Sequence, residues 1–247
     1  MDSILSLQNI SKTFSEKPGE DLHVLEHINL EIGHGEFFVL LGPSGSGKST
    51  ILRIMSGLEK SYSGTMQWEN GITQTDMSFV FQQFALLPWL TVYENAEMGL
   101  IMRKDLTADM RRVIVMKELR ELGLERFAHA HPHELSGGMR QRTGIARAIA
   151  TNPKIIFLDE PFSEVDSFTA RELRKDLLAI WERRKMTIVM VTHLIEEAIE
   201  LADRIAILTP RPGKIEKTIT NPLPRPRNIR SPESYKLEDE MYAIIEP

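Results

Sequence analysis

Apolar and polar residues alternate along His27-Ile28-Asn29-Leu30-Glu31-Ile32, the period of a half-buried strand, and Leu5 and Leu7 begin a similar pattern earlier. Phe37 to Leu41 is different: it is short and uniformly apolar, which suits a strand buried on both faces, as in a parallel sheet. A Gly-rich turn follows at Gly42 to Gly47. Lys48 to Ser56 then predicts a helix that buries Ile51, Leu52, Ile54 and Met55 and stops at Gly57. From about Thr91 to Ala150 the period is helical. Thr107 caps a helix carrying Met110, Val113, Ile114, Leu119 and Leu122, with Gly123 at its end. A second helix starts at Ser136 and runs to Ala150, stopped by Asn152-Pro153. Strand and helix then alternate: Ile155 to Leu158 (strand), Thr169 to Arg184 (helix), Thr187 to Thr192 (strand), Leu194 to Ala202 (helix) and Arg204 to Leu208 (strand). Such alternation predicts an α/β fold built on a parallel sheet, with a helical insertion.

The tail changes character. Six of the 13 prolines lie between Pro210 and Pro232, interleaved with Arg211, Arg225, Arg227 and Arg230. Prolines at this density exclude a regular helix or a central strand, so the segment is expected to run extended over the surface. Leu237, Met241, Ile244 and Ile245 predict a short docking helix after it.

Composition narrows the function classes. The 247 residues are enough for one large domain with a buried core. Lys plus Arg number 30 and Asp plus Glu 35, a net charge of −5, whereas a chain dedicated to duplex nucleic acid carries a basic balance. No nucleic-acid partner is therefore expected. With no cysteine, the chain has no disulfide framework, zinc–thiolate site or thiol nucleophile. No apolar run approaches the roughly 18 residues that span a bilayer, and the start lacks the features of a secretory signal. The expected location is cytoplasmic.

Three motifs carry chemistry. Gly42, Pro43, Ser44, Gly45, Ser46, Gly47, Lys48 and Ser49, with Thr50 next in line, match G-x-x-x-x-G-K-[ST]. Glycines let successive N–H groups face one centre, which is also the positive end of the following helix. Lys48 adds charge for the β and γ phosphates, and the Ser49 hydroxyl suits Mg²⁺. In Ile155-Ile156-Phe157-Leu158-Asp159-Glu160, an apolar strand ends in two carboxylates, at the end of the sheet where ligands of open α/β folds bind. Asp159 is the expected Mg²⁺ ligand and Glu160 the group that polarises the attacking water. Leu135-Ser136-Gly137-Gly138-Met139 places a hydroxyl and free N–H groups at a helix start, a second anion-binding end. Taken alone, it is equally an ordinary N-cap with loop glycines. One nucleotide needs one phosphate loop, and a head-to-tail dimer accounts for the second anion site.

Over residues 4 to 210, these motifs and their order resemble the ATP-binding cassette (ABC) ATPases. The resemblance implies an α/β P-loop NTPase with a mixed, mainly parallel sheet core, an antiparallel β subdomain and a helical signature subdomain at about 85–150. One cassette covers 1–232, and a Pro/Arg-rich tail with a short helix covers 210–247. It implies ATP and Mg²⁺ as cofactors and ATP hydrolysis as the activity. Gln82 resembles the family's glutamine that meets Mg²⁺ and faces the transport partner, with Gln83 the lesser candidate. Asp166 resembles the aspartate loop that crosses the dimer. His193 resembles the switch histidine that contacts the γ-phosphate, and Phe14 stands where the family stacks an aromatic ring on adenine, although core packing explains Phe14 almost as well. Two departures stand out: Met139 where Gln is commonest, and Glu164-Val165 where Ala-Leu is usual. They count against carrying over the family's ribose contact and cross-dimer signalling, not against hydrolysis.

Leu87-Pro88-Trp89-Leu90-Thr91-Val92, the stretch from His133 to Arg142 and the tail Leu223-Pro224-Arg225-Pro226-Arg227 are similar to the nitrate/sulfonate/taurine importer branch. That implies a peripheral subunit on the cytoplasmic face of the membrane, with a second ATPase subunit (the same chain or another) and a separate transmembrane permease as partners. A solute-binding protein is an indirect partner. Phe84, Leu86, Leu87 and Trp89 crowd the segment after Gln82, so the permease is expected to dock near Gln82 to Leu90, with core packing as the other reading. The alternative function is a non-transport cassette ATPase of a cytosolic assembly complex; the tail and the Leu-Pro-Trp segment argue against it. His129, His131 and His133 alternate, but Pro132 breaks the spacing and no carboxylate cluster lies near, so no metal site is expected there.

Overall fold

The computed structural model describes residues 3–17, 20–69 and 71–245, so the outermost residues of the expected cassette and tail, 1–2 and 246–247, lie outside the described residues. In chain order the elements are β1 (Ser3–Lys17), β2 (Glu20–Gly33), β3 (Phe37–Leu41), α1 (Lys48–Met55), β4 (Ser63–Trp68), β5 (Met77–Val80), α2 (Val92–Ile101), α3 (Ala108–Glu121), α4 (Gly137–Ala150), β6 (Ile155–Asp159), α5 (Ser167–Arg184), β7 (Thr187–Thr192), α6 (Ile195–Leu201), β8 (Arg204–Leu208), β9 (Ile215–Thr220) and α7 (Pro232–Ile245). The chain divides into two compact units, Met1–Gln74 with Lys185–Pro247, and Thr75–Arg184.

The first unit contains an antiparallel sheet in the order β2-β1-β4. Leu5 pairs with Ile32 and Leu7 with Leu30, and a register shift follows before Ile10 meets Ile28. Asn9 and His27 sit at this irregularity with φ of 56° and 52°. The Asn29 side chain accepts the Asn9 N–H, and the Ser11 hydroxyl accepts the His27 N–H. The same unit holds parallel strands: β3 lies between β7 and β8, with Leu41 opposite Thr192 on one side and Ile207 on the other. Every residue of β3 and β7 is buried, which is why β3 and the interior of β7 read as apolar runs. Each large apolar side chain buried there contributes roughly 1.5–3 kcal/mol.

The Pro-rich tail is not wholly irregular. Ile215–Thr220, the proline-free stretch within it, forms β9 antiparallel to β8, with Ile205 opposite Ile219. Strand β9 is extended, mostly exposed and at the edge of its sheet, a place that Pro density allows where it forbids a central strand. The tail helix is α7, where Leu237 and Met241 are buried as its sequence pattern predicts and Ile244 and Ile245 are half-buried. It packs on α6 and β8.

In the second unit β5 and β6 pair in parallel, Val80 opposite Leu158. Thr91 and Glu94 form a capping box at the start of α2, Thr107 caps α3, and Ser136 caps α4. The boundaries of α3, α4 and α5 match the expected ones within two residues. Helices α2, α3 and α4 pack on one another.

Candidate functional site

In the first unit, parallel register fixes what stands together. Leu41 and Thr192 are neighbours across β3 and β7, so the loop that starts at Gly42 and the residue that follows Thr192, His193, leave the same end of adjacent strands. The loop then turns into α1 through Gly47. Gly47 has φ 92°, a conformation that costs a side chain about 1–2 kcal/mol, and a Cβ there would lie 2.5 Å from Leu25. The cap residue Gly47 offers no side chain to bond the first turn of α1. Lys48 is 4% exposed. Its ammonium donates to the carbonyls of Gly42 (2.8 Å) and Pro43 (2.9 Å), which hold the charge inside the loop. The buried Ser46 hydroxyl has no hydrogen-bond partner among the described residues, an orphan suited to an oxygen-rich anion. Ser49 and Thr50 are half-buried on the first turn of α1, Ser44 and Gly45 are exposed at the loop's tip, and His193 is exposed.

The back of the loop is braced by Gly213, a residue the sequence reading did not single out. Gly213 exchanges backbone hydrogen bonds with Val24 and Glu26, and a Cβ on it would lie 2.0 Å from the Ser46 carbonyl. The only sequence signal was a glycine between β8 and β9 in a Pro-rich turn. Phe14, in β1, is partly exposed, and the Lys12 ammonium lies 4.3 Å from its ring centroid. The ring is therefore not core, which removes the packing reading of Phe14.

In the second unit, Gln82 and Glu160 leave the carboxyl ends of paired strands β5 and β6. Asp159 is buried at the end of β6, and Glu160 is half-buried with φ 43°, an uncommon left-handed conformation for a residue with a Cβ. The Ser163 N–H (3.2 Å) and hydroxyl (3.0 Å) both donate to the Glu160 carbonyl, and the Gln82 amide donates to the Ser163 hydroxyl (3.4 Å). Ser163 thus ties the turn carrying Glu160 to Gln82.

Gly137 and Gly138 open α4 behind the Ser136 cap, whose hydroxyl accepts the Met139 N–H at 3.3 Å. Packing requires Gly138 but leaves room for a side chain at Gly137. A Cβ on Gly138 would lie 2.3 Å from the Thr169 methyl, and one on Gly137 would lie 3.4 Å from the Glu164 carbonyl. Asp166 caps α5: it accepts the N–H groups of Phe168 and Thr169 and the Thr169 hydroxyl at 2.6 Å. Those bonds, the Thr169 hydroxyl first, hold its carboxyl below the ordinary range. Signature glycines and aspartate loop are therefore one packed structure within the unit.

The segment after Gln82 is organised by two residues outside the expected site. Asn95, fully buried on α2, accepts the Leu87 N–H (2.8 Å) and donates to the carbonyls of Leu87, Leu90 and Thr91 (2.9–3.1 Å). Arg147 on α4 donates to the Phe84 and Ala85 carbonyls. On this frame Phe84, Leu86 and Leu87 are half-buried, while Trp89 is 69% exposed. A polar residue on the apolar face of α2 was the available signal for Asn95.

The model of the ABC transporter family matches residues 25–163. The chain belongs to the ABC transporter family. It is 42% identical to the aliphatic sulfonates import ATP-binding protein of Bacillus cereus over 236 residues, covering 94% of this chain and 91% of the relative. It is 38% identical to the nitrate import ATP-binding protein of Synechocystis sp. over 253 residues, covering 98% of this chain and 94% of the relative. Among solved structures, a dimeric ATP-binding cassette in a post-hydrolysis state with ADP and Pi superposes with a TM-score of 0.77 and 36% identity, over 91% of this chain and 99% of that one. This family member has no helix, among its described residues, that is long and apolar enough to cross a membrane. Nor do those residues include a cluster of three His, Cys, Asp or Glu side chains suited to a metal, the histidines at 129–133 among them.

Proposed function

We propose that this ABC family member is the ATP-hydrolysing subunit of a membrane importer for a small anionic solute of the nitrate, sulfonate or taurine type. It acts as a head-to-tail dimer bound peripherally at the cytoplasmic face of the membrane. The observation that carries the reading is the phosphate loop: a buried lysine held inward by two loop carbonyls, an uncapped helix start, and an orphaned serine hydroxyl. Such a cradle matches an anion with several oxygens.

The residues divide the work. Loop N–H groups, Ser46 and Lys48 bind the phosphates, and Phe14 offers a ring face to the base. Ser49, Gln82 and Asp159 offer a hydroxyl, an amide and a carboxylate oxygen, a donor set that fits Mg²⁺, which binds through one or two carboxylates and the substrate's own phosphates. When bound, the ion offsets charge on the transferred phosphoryl group. Glu160 takes a proton from water as the water's oxygen bonds to the γ-phosphorus and the bond to the β–γ bridging oxygen breaks; His193 orients the γ-phosphate. Ser136, Gly137, Gly138 and Met139 close over the nucleotide of the facing subunit, and Asp166 holds that end in shape. Loss of the γ-phosphate removes the bridge and reopens the dimer. The Gln82–Leu90 segment, set by Asn95 and Arg147, presents Trp89 to the permease and links it to Gln82. The solute reaches that permease from a solute-binding protein.

Glu160→Gln tests the reading. The amide is near-isosteric but is not a carboxylate base, so ATP binding should persist, turnover should nearly vanish, and an ATP-dependent dimer should accumulate in size-exclusion runs. Wild-type turnover in this variant removes Glu160 from the mechanism.

A further inference from the structure

The Pro- and Arg-rich segment after β9 supplies none of the groups assigned to ATP, yet that segment grips one helix. The Arg227 guanidinium donates from Nη1 to the carbonyls of Ile199 (3.2 Å), Glu200 (3.3 Å) and Ala202 (2.6 Å), and from Nε to Leu223 (2.9 Å). Its side chain is 2% exposed. Arg225 donates from Nη2 to the Leu201 carbonyl (2.6 Å) and pairs through Nη1 with Asp203. Asn221 adds a bond from its amide to the Ile199 carbonyl (2.9 Å). Four consecutive carbonyls at the carboxyl end of α6, the groups a helix end leaves unsatisfied, are thus all taken by the tail. Burial, and secondarily the neighbouring Arg225 charge, pulls the Arg227 guanidinium down to about 10, so it stays charged at neutral pH and keeps its donors.

The other end of α6 starts two residues after His193. There the Thr192 hydroxyl donates to the buried Glu197 carboxylate (2.6 Å), and the Leu194 N–H donates to Thr192 (3.1 Å). Asp203, the Arg225 partner, also accepts the N–H of Phe37, the first residue of the strand that leads into the phosphate loop. A two-turn helix is ~10 Å long, so a tilt of ~10° about its carboxyl end moves the His193 end by ~2 Å.

We propose that Arg225 and Arg227 are positioning residues for ATP hydrolysis: by clasping the carboxyl end of α6 they hold His193, at the opposite end, in place beside the phosphate loop. The proposal rests on the reading of His193 as the γ-phosphate contact. It gives the distinctive tail a task in turnover, since displacement of the clasp slows hydrolysis without touching the groups that bind ATP.

The test uses the full chain with Arg227→Lys, which keeps the charge but replaces the fork with a single ammonium, and Arg225→Gln, a less buried site that guards against loss of folding. ATP turnover, ATP affinity by titration and thermal melting are measured in the wild-type and His193→Ala backgrounds, the slow rates with radiolabelled ATP. In the wild-type background kcat should fall about 10-fold or more while ATP affinity stays within about twofold, the signature of misplacement at the reacting phosphate. In the His193→Ala background the same substitutions should cause almost no further loss, because the residue they position is gone. Unchanged kcat in the folded variants overturns the proposal. So does an equal fold-loss in both backgrounds, or a fall in affinity matching the fall in kcat, since each marks a purely structural role. Wild-type turnover in His193→Ala alone overturns the reading of His193 beneath the proposal, an outcome separate from the others.

Discussion

Gly138 and Gly213 are both positions where a methyl group has nowhere to go, but the obstacles differ and so should the consequences. At Gly138 the obstacle is the methyl of Thr169, 2.3 Å from the site of a Cβ. Gly138→Ala should destabilise the protein by about 1–3 kcal/mol, the usual cost of overpacking. Adding Thr169→Ser removes the methyl yet keeps the hydroxyl that bonds Asp166, so the double variant should recover most of the lost melting temperature. At Gly213 the obstacle is the Ser46 backbone carbonyl at 2.0 Å, which no second substitution can trim. Gly213→Ala should displace the phosphate loop and weaken ATP and ADP binding alike, by roughly 10-fold if ~1.4 kcal/mol of loop strain is transferred to binding. Calorimetric titration with both nucleotides decides it, and unchanged affinity removes the bracing role. The Ser-Gly-Gly and phosphate-loop motifs were legible as patterns. The packing that Gly138 and Gly213 answer to was not, because Thr169 and Ser46 lie far from them along the chain.

At the scale of elements, the clear periods were the reliable ones. The buried strands β3, β6 and β7 and the capped helices α3 and α4 stand where apolar runs and Thr107 or Ser136 placed them. By contrast, β4 reads Ser-Gly-Thr-Met-Gln-Trp and is mostly exposed, so no alternation marks it. Strand β9 hides between prolines, and its pairing with β8 is a long-range fact. The loop before α2 was legible only as apolar crowding. Its shape depends on Asn95, whose four bonds to the 87–91 turn no local pattern announces. Asn95→Ala strips those bonds and leaves buried backbone groups unpaired, at roughly 1–3 kcal/mol for each group not rescued by water. Copurification with the permease should drop sharply while ATP affinity holds; undiminished copurification moves the docking surface elsewhere. The capping box of α2 makes a pH prediction. The Thr91 N–H and hydroxyl hold the Glu94 carboxyl below its ordinary 4.5. A folded pKa lower than the unfolded one means stability that is present above pH 4.5 and lost as the pH falls below it. The melting-temperature gap between wild type and Glu94→Ala should therefore be widest near neutral pH and close as the pH falls below 4.5. A gap that does not change with pH assigns the stabilisation to packing.

At the scale of the whole molecule, the proposed function gives the chain two helix ends, α1 behind Lys48 and α4 behind Ser136, for each nucleotide it binds. Two identical or similar chains related head to tail use both ends without waste, since each nucleotide then takes the phosphate loop of one subunit and the Ser-Gly-Gly end of the other. Ser136 is exposed at its helix start, which leaves it available to a facing molecule. A mixed dimer tests this pairing. Ser136→Arg places a bulky cation at the closing end, and Lys48→Ala removes the phosphate-loop charge. Each variant alone, paired with itself, has both of its composite sites damaged. When one subunit carries Ser136→Arg and its partner carries Lys48→Ala, head-to-tail pairing puts both lesions in one site and leaves the other intact. In a Glu160→Gln background, where bound ATP is not consumed, the mixed dimer should therefore occlude about one ATP per dimer, and either variant paired with itself should occlude almost none. If each chain instead used its own Ser136 on its own nucleotide, the mixed dimer would hold no intact site, and its occlusion would be as low as that of the two parents.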